Sequence, residues 1–191
     1  MKIIAFDRKP DGEFVTPPAV DLIADSAVVT PPHPLFLPDF DSEWEARICP
    51  AYRIGRLGKS IAQKFAPRYI DGFTLMLRLM PTGTDRELRS RDCPRGLEGL
   101  FDSAVMLGRW MEIGEPPVPA EFEISGDEWK VRIENHFEAA CRALEAVSRY
   151  ATVKTGDVVC PSWIPADIKP AVGTEISAAV NGVECLNVRI R

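Results

Sequence analysis

Between Asp71-Gly72 and Pro81 the chain reads Phe-Thr-Leu-Met-Leu-Arg-Leu-Met, apolar at nearly every position. A strand with one wet face alternates apolar and polar residues, so an unbroken run of this kind describes a strand covered on both faces. Such a chain must fold as layers around a sheet. Arg78, in the middle of the run, is then a charge in a place built for hydrophobes.

The remaining segments supply neighbours for that strand. Ile3 to Phe6 reads as a first strand, and the rest of residues 1–33 as an irregular stretch punctuated by Pro17-Pro18 and Pro31-Pro32. From Asp39 to Ile48 polar and apolar positions alternate, which puts Glu43 and Glu45 on one face of a strand. Leu57, Ile61 and Phe65 recur at four-residue spacing and predict a short helix over Leu57–Ala66, stopped by Pro67. Phe122 and Ile124, then Trp129, Val131 and Ile133, alternate about Ser125-Gly126-Asp127 as a hairpin. Asn135 as N-cap, with Glu138 three residues on, opens a helix whose apolar stripe is Phe137, Cys141, Leu144 and Val147, reaching to about Tyr150. Gly156-Asp157 turns into Val158-Val159-Cys160, and Asn181-Gly182 joins Ile176–Val180 to Val183–Ile190 as a two-residue hairpin. Strands outnumber helices, and the expectation is one α+β domain over residues 1–191.

Composition narrows the partners. The net charge is −5, the wrong sign for gripping phosphate backbones, so nucleic acid is not expected. The five cysteines are odd in number and form no Cys-x-x-Cys pair, which supports neither a disulfide framework nor a structural zinc. No segment reads as a signal peptide or a membrane span, and a cytoplasmic setting is expected.

Several segments in order resemble the fumarylacetoacetate hydrolase family: Phe36-Leu37-Pro38-Asp39-Phe40, Glu43-Trp44-Glu45, Arg56 to Ala62, Phe65 to Thr74, Arg86 to Arg89, Phe101-Asp102 and Lys154 to Asp157. The resemblance implies a mixed β-roll, dimeric assembly, and hydrolysis, isomerisation or decarboxylation of small 2-keto or enol acids with a divalent metal. It also implies a metal held by a Glu-x-Glu pair and an Asp in the strand that follows Gly-aromatic-Thr. Glu43 and Glu45 match the pair, and hard carboxylate oxygens suit Mg²⁺ or Mn²⁺. The position of the third carboxylate holds Arg78.

Other parts of the family pattern are replaced as well. Gly99 and Leu100 stand where a lysine precedes Phe-Asp, and Pro161-Ser162-Trp163-Ile164-Pro165 stands where the family carries its glycine-rich substrate loop. The reading is a vestigial metal pair, Glu43 and Glu45, in a site altered by Arg78 and Trp163, with no catalytic residue assigned and no cofactor expected. Arg78 is expected to pair with Glu43 or Glu45. His33, His136 and Cys160 read as structural, the last as a small buried hydrophobe. Asp85 to Asp92 reads as a charge-balanced solvated segment. The chain is thus expected to be a pseudoenzyme. The alternatives are a metal-dependent enzyme with a rebuilt site, using Mg²⁺ or Mn²⁺, and a scaffold that forms a homodimer or a mixed dimer with an active paralogue.

Overall fold

The computed structural model describes residues 1–7, 13–114, 121–126, 130–134 and 137–191. Three strands fall in the first thirty residues, β1 (Lys2–Phe6), β2 (Val20–Ala24) and β3 (Val28–Val29), so this stretch is less irregular than its prolines suggest. The long pair follows: β4 (Trp44–Ile54) and β5 (Ile70–Pro81), antiparallel along nearly their whole length. α1 (Thr82–Ser90) leads to the short strands β6 (Val105–Leu107) and β7 (Met111–Glu112). Then come β8 (Glu121–Gly126), β9 (Lys130–Glu134), α2 (Phe137–Ser148), β10 (Val158–Cys160), β11 (Ile164–Ile168), β12 (Glu175–Val180) and β13 (Val183–Arg189).

One sheet runs β2-β1-β10-β4-β5-β6-β3, with β11 added to β4 and β7 to β5, and a second runs β13-β12-β8-β9. This arrangement explains the apolar run. Leu75, Leu77 and Leu79 point to one side of β5, where Ile48 of β4 and Ile124, Ile176, Val180 and Leu186 of the second sheet meet them. Met76 points to the other side, into a layer with Ile3, Ile23, Cys49, Val105 and Cys160. Both faces are dry, so neither needs alternation. A third cluster forms where Ala140, Cys141, Leu144 and Val147 of α2 cover Ile4, Tyr52, Ile54 and Val159.

Two hairpins form as the sequence indicates, β8 with β9 and β12 with β13. In the second, Val180 pairs with Val183, and Asn181 and Gly182 both take positive φ (49° and 77°), as a two-residue type I′ turn requires. α2 carries the expected stripe, while Asn135 and His136 lie outside the described residues.

The helix expected over Leu57–Ala66 does not form. A 3-10 helix occupies Gln63–Tyr69 instead, with Pro67 inside it. The cause is competition for the backbone: Gly58 bonds Val153, Ser60 N donates to Ser148 O at 2.8 Å, and Ile61 N donates to Ser148 Oγ at 2.9 Å. Ser60 also has φ 53°, which ends any right-handed turn there. Of the supposed stripe only Ile61 is buried; Leu57 and Phe65 are 68% and 43% exposed. Among the described residues no helix is long and apolar enough to cross a membrane.

Candidate functional site

Residues two apart on a strand share a face, and residues directly opposite in an antiparallel pair share it too. On β4 the side of Cys49 therefore also carries Arg47 and Glu45, and on β5 it carries Arg78. Arg47 and Arg78 are register partners. Two guanidinium groups facing each other would repel, and the fold answers with carboxylates, one from β4 itself and the others from three more segments.

Arg47 Nε donates to Glu45 Oε1 at 2.8 Å and its Nη1 to Asp7 Oδ1, just past β1, at 3.3 Å. Arg78 Nη1 donates to Asp21 Oδ2 of β2 at 2.8 Å, and its Nη2 lies 3.5 Å from Glu98 Oε2. Arg95 links the two halves: it contacts Asp7 at 3.2 Å, Asp21 at 3.5 Å, Glu98 at 3.3 Å and Asp85 of α1 at 3.6 Å. Three arginines and five carboxylates thus form one connected network. Its inner members are nearly sealed, with the side chains of Arg78 and Glu98 4% and 5% exposed.

Carboxylates are in excess, and Glu98 shows it. Burial and then the Asp21 charge push its carboxyl above the usual range, although Arg95 and Arg78 pull the other way. Among the described residues neither Glu98 oxygen accepts a hydrogen bond. A carboxyl whose folded pKa is raised makes folding less favourable as pH rises above its unfolded value, about 4.5. Glu98→Gln is therefore expected to gain stability relative to the parent protein between pH 4.5 and 7, read as urea midpoints at several pH values. A difference that did not change with pH would contradict the assignment.

Of the sequence-predicted site residues, Glu45, Arg78 and Trp163 come together around Arg47, and Glu43 stands apart. Glu43 lies just before β4, outside the ladder; its backbone oxygen accepts from Thr82 N at 2.9 Å and its carboxylate is bound by Arg86. Glu45 is taken by Arg47. The expected pairing of Arg78 with Glu43 or Glu45 is thus replaced by pairing with Asp21 and Glu98, because both glutamates have nearer cations on their own side. Trp163 is half-buried, and the Arg47 guanidinium stacks 4.3 Å from its ring centroid. Cys160 is fully buried, and burial pushes its thiol well up, away from thiolate chemistry. His33 is exposed, and Asp85 to Asp92 is partly the end of α1, laced by Arg89–Asp85 and Arg91–Glu87 pairs.

The network also decides the fit of a divalent metal. A dication needs several free oxygen ligands converging on one point. Here Glu43 is bound by Arg86 and Glu45 by Arg47, Arg78 is itself a cation, and among the described residues no group of three or more His, Cys, Asp or Glu is arranged to hold an ion. Glu43, Glu45 and Arg78, as they stand here, do not fit the metal.

The architecture matches solved structures closely. Fumarylpyruvate hydrolase from Pseudomonas aeruginosa, solved with Mn²⁺ and pyruvate, superposes with TM-score 0.83 at 18% identity, covering 99% of this chain and 88% of that one. A protein from Yersinia pestis described as belonging to the fumarylacetoacetate hydrolase family gives 0.85 at 17%, covering 100% and 92%. The fold is that of the fumarylacetoacetate hydrolase family. A 5-carboxymethyl-2-hydroxymuconate delta-isomerase from Mycobacterium smegmatis shares this hydrolase fold, with TM-score 0.81 at 22% identity over 99% and 78% of the two chains. No family model matches the sequence, and no curated protein matches it.

Sequence reading overlooked Asp7, Asp21, Arg47, Arg95 and Glu98. Asp21 and Arg47 did leave a signal, since each sits in an otherwise strand-like segment, as Arg78 does. Charges of opposite sign in separate strands are candidates for one another. Arg95 and Glu98 lie in a loop of no clear period, where no such inference is available.

Proposed function

We propose that this chain is a divergent member of the fumarylacetoacetate hydrolase family that has given up metal-dependent chemistry and keeps the fold as a pseudoenzyme. The observation that carries the proposal is the Arg78 guanidinium, held by Asp21 at 2.8 Å and beside Glu98 at the third-carboxylate position. A permanent cation there opposes a dication instead of binding it. Stacking of Trp163 on Arg47, the register partner of Arg78, adds bulk on the neighbouring strand.

Calorimetric titration with Mn²⁺ or Mg²⁺ is expected to show no binding tighter than about millimolar, and an acylpyruvate assay with added Mn²⁺ is expected to show no turnover above buffer. Micromolar metal binding would overturn the reading. Turnover of an acylpyruvate would favour the second reading, a rebuilt site for a 2-keto acid, which rests on the side chains of Arg47 and Arg95 being 17% and 22% exposed. A scaffold role, as homodimer or as mixed dimer with an active paralogue, is compatible with the pseudoenzyme and would show as co-purification with that paralogue.

A further inference from the structure

A second charged feature lies at the far end of the β4–β5 ladder. Between residues 46 and 70 the chain carries six cations, Arg47, Arg53, Arg56, Lys59, Lys64 and Arg68, and no carboxylate, in a protein of net charge −5. Arg53, Arg56 and Arg68 line an open cleft of about 710 Å³ together with Asp71 and Glu112. Arg53 is six residues beyond Arg47 on the same strand, about 20 Å at the rise of a β-strand. The cleft is therefore separate from the Arg78 network.

The three arginines are not equivalent. Arg53 is committed: its Nε donates to Asp71 Oδ1 at 2.7 Å and its guanidinium lies 5.3 Å from the Trp110 ring centroid. This contact neutralises Asp71 and fixes one wall. Arg56 and Arg68 are exposed, and among the described residues neither meets a carboxylate; Arg68 only approaches the Phe65 ring, at 5.5 Å. Elsewhere on the surface Arg86, Arg89, Arg91, Arg142 and Arg149 each hold one, and, although exposed Arg109 and Arg191 also meet none among the described residues, Arg56 and Arg68 differ from them in lining one cleft together. Two guanidinium groups left unspent around one cleft, in a chain with surplus acid to spend on them, mark a place where the counter-charge comes from outside.

We propose that this cleft binds a compact dianion, a phosphate group or a dicarboxylate, gripped by Arg56 and Arg68. The guanidinium fork matches both chemistries, since each offers paired oxygens for two parallel N–H donors. Glu112 lines the same cleft with no cation beside it among the described residues, and so limits the affinity by repelling the ligand.

The test uses the full chain and two probes, inorganic phosphate and succinate, titrated by calorimetry at low salt. Saturable binding in the millimolar range or tighter is expected for at least one probe, and the tighter probe tells a phosphate-bearing ligand from a dicarboxylate. The double substitution Arg56→Ala/Arg68→Ala should weaken it at least tenfold, with an unchanged circular dichroism spectrum because both residues are on the surface. Glu112→Gln should tighten it at least twofold, an effect of opposite sign that loss of structure would not produce. The proposal is overturned if neither probe saturates, or if the double variant binds as the parent does.

Discussion

Arg78→Ala is expected to lower the free energy of unfolding by about 3–5 kcal/mol, the usual cost of removing one partner from a buried ion pair. The size follows from what is left behind. Asp21 and Glu98 would face each other in the space where the guanidinium stood, with Arg95 as the remaining common cation. The sign of the pH dependence separates this from simple loss of packing. Without Arg78 the Glu98 carboxyl, already raised by burial, would hold its proton more tightly still in the folded state, so the deficit should be largest near neutral pH and shrink on acidification. Urea unfolding of the parent and variant at pH 7 and pH 5 measures it. The double variant Arg78→Met/Glu98→Gln, which removes one charge of each sign, should recover part of the loss; an equal or larger deficit would show that Arg78 acts by volume and not by charge.

Leu77→Ala is expected to cost a further, independent 2–5 kcal/mol, roughly the range for truncating a buried leucine. Leu77 is fully buried on the opposite face of the same strand, paired with Ile48 on β4 and Met106 on β6, and it packs in the layer between the two sheets. The titratable group in that layer among the described residues is the Cys185 thiol, which burial pushes up to about 11, so this loss should be the same at pH 7 and pH 5. Comparing the two variants tests the assignment of the two faces of β5 directly. A pH-dependent loss for Leu77→Ala, or a pH-independent one for Arg78→Ala, would mean that the faces are wrongly assigned.

The strand order of chemistry was legible in the sequence wherever a local rule was strong. The unbroken run from Phe73 to Met80 announced a strand dry on both sides, and Asn181-Gly182 announced a hairpin whose two turn residues do take positive φ. The Leu57–Ala66 segment misled because its spacing was helical while its amides were claimed from a distance, by Val153 and by Ser148. The site divides in the same way. Arg78 is conspicuous by itself, since a cation in an apolar run must be answered. Which acids answer it depends on β2 lying beside β1 at the sheet edge and on the loop around Glu98 folding over it, and neither is written in the neighbourhood of residue 78. The nearest glutamates in the pattern, Glu43 and Glu45, were the natural candidates and were already engaged by Arg86 and Arg47.

The linked arginines also bear on how such a site can change by mutation. Placing an aspartate at position 78 adds one carboxylate to a cluster that already holds more acids than bases and removes the cation that Asp21 and Glu98 share. The product is a less stable protein before it is a metal protein, because Glu45 still faces Arg47 and Glu43 still faces Arg86. On the reading proposed above, each single step from this network toward a three-carboxylate centre costs stability, and only concerted replacement of Arg47, Arg78 and the acids around them avoids that cost.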